Sequence, residues 1–121
     1  MNEKTIVWNY ILQALNEKFW NKEIRQIPVF LKPLEKDHLG DFRFTPEGFN
    51  SIILSTNSGL TEIEMVGVLL HEMTHQLVFQ KYGPNVPAHG KEWKIEIKKI
   101  GFRENGLDGV SFCSKDLFNE I

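Results

Sequence analysis

Cysteine is all but absent: Cys113 is the only one in 121 residues. A single thiol makes no intramolecular disulfide and no cysteine-based metal site. A disulfide scaffold is therefore excluded, and a reducing compartment is expected. Long apolar runs are missing too, since no stretch approaches the roughly 20 residues that span a bilayer. The start, Met1-Asn2-Glu3-Lys4-Thr5, has no basic block followed by an apolar one, so no signal peptide is expected. Nor is there a basic excess. The formal net charge is −2, which argues against a strong general affinity for nucleic acid. Internal repeats and low-complexity stretches are also lacking. What remains has the length and composition of one cytoplasmic globular domain, 1–121.

Apolar spacing places the elements. Ile6, Val7, Tyr10, Ile11, Ala14 and Leu15 recur at helical intervals between Thr5 and Trp20, which predicts an amphipathic helix. Between Ile24 and Leu34 the pattern changes to alternation at Ile27, Val29 and Leu31, a strand that Pro28 and Pro33 confine to an edge or terminate. A turn at Asp37 to Gly40, a short strand from Asp41 to Thr45, a turn at Pro46-Glu47-Gly48 and the run Ile52-Ile53-Leu54 follow. Short loops predict a small, mainly antiparallel sheet of about three strands. Thr61 and Glu64 have the spacing of a capping box. The helix they open runs to about Tyr82, where Gly83 and Pro84 stop it. A second helix is expected to start near Pro87 or Ala88, with Trp93, Ile97 and Ile100 as its buried stripe. The fold class is α+β.

Chemistry concentrates in His71-Glu72-Met73-Thr74-His75, inside the longest predicted helix. Side chains four apart on a helix stand about 6 Å from each other along the axis and point the same way. Two imidazoles at that spacing can reach one zinc ion at about 2.0–2.1 Å. Glu72 is rotated about 100° from His71, beside the metal, where a general base takes a proton from zinc-bound water. Leu70, Met73 and Leu77 form a separate apolar stripe, so the helix can pack with one side and present histidines on another. A catalytic site needs a third ligand. His89, fourteen positions after His75, is one candidate, and Glu92 and Glu96 are the others, because a His₂Glu set is also used for zinc. His38 stands in a charged, turn-like stretch and reads as solvent-exposed.

The run from His71 to His75, followed by His89-Gly90-Lys91-Glu92-Trp93 and then Ile100-Gly101, resembles the SprT-like metallopeptidases, the family that includes Spartan. The likeness covers roughly residues 10 to 102. It takes in an N-terminal helix ending near Phe19, a strand, a Gly40-Asp41-Phe42 turn, an Ile52-Ile53-Leu54 strand and Val68-Leu69-Leu70 before the motif. The histidine pair is shared by many zinc peptidases; the His-Gly-x-Glu-aromatic element at this distance is more specific. The resemblance implies a zincin-like fold with the active helix beneath a small sheet. It implies zinc on His71, His75 and His89, with the third ligand on or at the second helix, and it implies Glu72 as the catalytic base. Protein is the substrate in that family, and Spartan degrades proteins crosslinked to DNA. Many members carry a cysteine-rich zinc ribbon after the protease core; this sequence, with Cys113 alone, has none.

The expected function is a zinc-dependent metalloendopeptidase acting on protein, with DNA-associated proteins as one substrate class. The alternative is a catalytically silent, zinc-stabilised module that docks a protein partner or nucleic acid. Lys91, Lys94, Lys98 and Lys99 make the second helix basic, which reads first as a solvated face. A weak DNA contact through Lys91, Lys94 and Lys98 is the functional reading. Tyr82 lies seven positions after His75, where an oxyanion donor would be placed, although rim packing also explains it. Glu64, seven before His71, suits a partner orienting a ligand ring, but its capping role already accounts for it.

Overall fold

A computed structural model describes residues 2–100. The chain divides into two compact units, Met1–Gly59 and Leu60–Ile121.

The first unit opens with helix α1, Glu3–Trp20. Asn2 caps it by accepting a hydrogen bond from the Thr5 N–H at 2.9 Å. Asn21 and Lys22, both with positive φ, end it. Trp8, Leu12, Leu15 and Trp20 are buried, whereas Ile6, Val7 and Tyr10 are exposed. The apolar face expected from the sequence is therefore turned outward over its first half. Two asparagines explain the rotation. Asn9 accepts from the Val29 N–H at 2.9 Å and donates to the Val29 carbonyl at 3.0 Å. Asn16 pairs with both backbone groups of Ile24, at 2.7 and 3.2 Å. Seven residues apart, they lie on one side of the helix and bind it to the segment that follows. Each of those backbone groups, buried without a partner, would cost about 1–3 kcal/mol, which offsets the apolar surface left exposed.

Strands β1 (Val29–Lys32), β2 (Gly40–Arg43) and β3 (Ser51–Ser55) form a sheet in the order β1-β3-β2. β1 runs parallel to β3, with Val29 opposite Ile52 and Leu31 opposite Leu54. β2 runs antiparallel to β3, with Phe42 opposite Ile52. The sheet is mixed, which corrects the expectation of a mainly antiparallel one. Gly40-Asp41-Phe42 lies in strand β2 and is not a turn. The physical reason lies in β3, whose Ile52, Ile53 and Leu54 are all buried. A strand apolar on both faces belongs in the middle. The half-exposed β2 and the proline-flanked β1 take the edges, where Pro28 serves as an acceptor for the Ile52 N–H at 3.0 Å.

The second unit contains α2, Glu62–Tyr82, and α3, Lys91–Lys99. The capping box forms as expected: Thr61 Oγ1 accepts from the Glu64 N–H, and a Glu64 carboxylate oxygen accepts from the Thr61 N–H. Gly83, at φ 79°, follows the last residue of α2. Leu70, Met73 and Leu77 are buried along α2, and Trp93 and Ile97 along α3. Among the described residues, no helix is long and apolar enough to cross a membrane. Gly101, part of the sequence likeness, and Cys113 lie outside the described residues.

Candidate metal centre

Helix α2 sets the first half of the site. His71 and His75 stand one turn apart on it. Thr74, fully buried between them, satisfies its hydroxyl by donating to the Leu70 carbonyl at 2.7 Å.

His89 arrives from a turn and not from a helix. α3 begins at Lys91 with Gly90 as its N-cap, so the third histidine sits just ahead of the second helix. Pro87 lies in that turn, where its carbonyl accepts from the Gly90 N–H at 3.2 Å. A Cβ at Gly90 would come within 3.1 Å of the Pro87 side chain and 3.3 Å of its carbonyl oxygen. That is tighter than an ordinary side-chain contact, so a larger residue at position 90 would require Pro87 to give by a few tenths of an ångström.

The three side chains converge. The Nε2 atoms of His71, His75 and His89 stand 3.1 Å apart in every pair. His71 is buried, and the other two are half-buried. Three neutral imidazoles cannot satisfy this triangle by themselves. Each Nε2 either carries its proton or does not, so in at least one pair two lone pairs or two protons face each other. One cation shared by three lone pairs removes the conflict. The spacing also suits such an ion: nitrogens bound at about 2.0–2.1 Å around a tetrahedral centre stand about 3.3 Å from one another. Imidazole nitrogen suits zinc, copper, iron and nickel.

Glu72 is buried, with one carboxylate oxygen 3.9 Å from His71 Nε2. It is adjacent to the nitrogen cluster without being part of it, as its rotation on α2 requires. The two carboxylates that competed with His89 lie outside the cluster. Glu96, buried in α3, accepts from Lys81 of α2 at 2.9 Å and from Lys99 at 2.7 Å. Burial pushes its carboxyl up, but the hydrogen bonds and charges of Lys99 and Lys81 outweigh that and hold it below the ordinary 4.5.

The remaining candidates are dispersed. His38 is exposed in a turn of the first unit, its N–H donating to the Glu35 carbonyl at 2.9 Å. Tyr82 is half exposed at the end of α2, and the Glu64 carboxylate is engaged with Thr61. Lys91, Lys94 and Lys98 are exposed on α3, while Lys99 is committed to Glu96. One residue has a larger place at the site than its sequence position announced. Trp93 makes ring contacts with all three histidines. The available signal was its spacing, four residues after His89 and one helical turn on.

Comparison with known proteins points the same way. The model of the SprT-like family matches residues 8–113, most of the chain and both of its units. A protein named Protein SprT from Glaesserella parasuis serovar 5 (strain SH0165) is 43% identical over 51 residues. That alignment covers 42% of this chain and 30% of the relative's own length. No solved structure matches the chain.

Proposed function

The chain belongs to the SprT-like family, and on that premise we propose that it is a zinc-dependent metalloendopeptidase that hydrolyses peptide bonds of protein substrates. The observation that carries this reading is the triangle of Nε2 atoms at 3.1 Å with a buried carboxylate beside it. His71, His75 and His89 are the ligands and Glu72 is the general base, in a zincin-like arrangement. Three protein ligands leave a coordination position open, as catalytic sites require and structural sites do not. Bound zinc supplies Lewis acidity, polarising a carbonyl and bringing the pKa of water to about 7.

The protein's own residues do the rest. The histidines hold the ion as neutral donors. Glu72 accepts the proton of the attacking water and returns it to the departing amine nitrogen, so the carboxylate is regenerated as the C–N bond breaks. Its burial keeps bulk water from competing for that proton. Lys91, Lys94 and Lys98, exposed along α3 just after His89, support a contact with the phosphates of DNA-associated substrates.

The test is Glu72→Gln. The amide preserves shape but cannot take the proton, so zinc content should match the parent while cleavage of a denatured general protein substrate falls about 10²–10⁴-fold. Equal cleavage by the variant would overturn the mechanism. A zinc-loaded parent that cleaves no protein substrate would point instead to a module that uses the metal for folding or docking.

A further inference from the structure

Trp93 is 1% exposed, the most deeply buried of the three tryptophans. Its ring centre lies 4.9 Å from that of His71, 4.9 Å from His89 and 5.6 Å from His75. The three contacts differ in kind. His75 is stacked on the indole at 28°, His89 meets it edge-on at 81°, and His71 is tilted at 59°. The histidine rings are in turn 4.8–4.9 Å from one another. Four rings thus form a closed cluster in which every member touches the other three.

This geometry addresses a problem that the backbone does not solve. Helix α2 and the Pro87–Gly90 turn place the three Cβ atoms, but rotation of an imidazole about its last torsion is broad and two-fold. A ring turned the wrong way aims a carbon where Nε2 should be. We propose that Trp93 is a positioning residue whose indole sets the rotation of all three imidazoles, so that their Nε2 atoms converge before any metal arrives. This inference rests on the metal-site reading above. A preformed donor set does not lose ring freedom when the ion binds, and the gain appears as affinity. The indole is itself held firmly. One turn further along α3, Glu96 is clamped between Lys81 of α2 and Lys99.

A plain core residue would stabilise the fold without touching metal affinity, and Ile97 supplies that comparison. It is buried on the same helix, four residues on. The experiment measures zinc affinity by chelator competition, and the melting temperature of the metal-free protein, for the full chain and for Trp93→Leu, Trp93→Phe and Ile97→Ala. Trp93→Leu should weaken zinc binding about 10–100-fold, the usual effect of losing a group that orients metal ligands. Trp93→Phe, which keeps a flat aromatic face, should fall between that variant and the parent. Ile97→Ala should lose melting temperature while keeping its affinity within about threefold of the parent. Parent affinity in Trp93→Leu would overturn the inference. So would affinity losses that follow melting temperature alike in Trp93→Leu and Ile97→Ala. If Trp93→Leu does not fold without metal, Trp93→Phe against Ile97→Ala decides, and parent affinity in Trp93→Phe overturns it. A parent that binds no zinc would instead remove the metal-site reading itself.

Discussion

His89 is the residue on which the donor set turns. Two histidines on one helix supply a pair of donors from a single rigid face; the third must come from elsewhere in the chain to make an open three-ligand site. Spacing alone left His89, Glu92 and Glu96 as competitors, because a carboxylate on the second helix can also complete a His₂Glu zinc set. The structure separates them by chemistry. Glu96 is occupied by two lysines, while the turn before α3 brings His89 Nε2 within 3.1 Å of the Nε2 atoms of His71 and His75. The purified parent should hold about one zinc per chain at neutral pH after dialysis, and His89→Ala should lose most of it. Full retention in the variant would remove His89 from the site.

Helix α3 matters at the scale of elements, because it places Trp93 against the histidines. Its anchor is the Lys81–Glu96–Lys99 cluster, which ties it to the end of α2. The lysines outweigh burial and depress the Glu96 pKa, which makes the anchor pH-dependent with a definite sign. Its contribution is complete above the ordinary carboxylate value of 4.5 and is lost as pH falls through the lower folded-state value. Unfolding of metal-free protein should therefore show the parent more stable than Glu96→Gln at neutral pH, with the gap closing as pH falls below 4.5 and through the lower folded-state value. A gap that stays constant down to pH 2 would show that Glu96 does not titrate this way. Helix α1 shows what an element's own sequence conceals. Its Ile6, Val7, Tyr10, Ile11 face has helical spacing, yet Asn9 and Asn16 turn most of it to solvent by pairing with Val29 and Ile24. Hydrophobic periodicity weighs apolar side chains and gives no weight to an amide that completes a distant backbone.

For the whole molecule, the three converging histidines and Glu72 all belong to the second unit, Leu60–Ile121, while the family match spans both. Units of roughly sixty residues are marginal alone, so the chain is expected to unfold as one domain. A ligand that binds only the folded state stabilises it by mass action. Zinc-loaded protein should melt in a single transition above that of chelator-treated protein, with the difference growing as free zinc rises. Two separate transitions, only one of them zinc-sensitive, would show independent folding. The existence of the three helices, the capping box and Gly83 stop of α2, the Ile52-Ile53-Leu54 strand and the one-turn spacing of His71 and His75 were determined by the sequence by itself, because capping, periodicity and i, i+4 spacing act over a few residues. Sheet order, the outward rotation of α1, the start of α3 after His89 and the indole against three imidazoles were decided only by tertiary structure. Each depends on a partner distant in the chain, and local patterns carry no record of which partner will complete a backbone group or turn a ring.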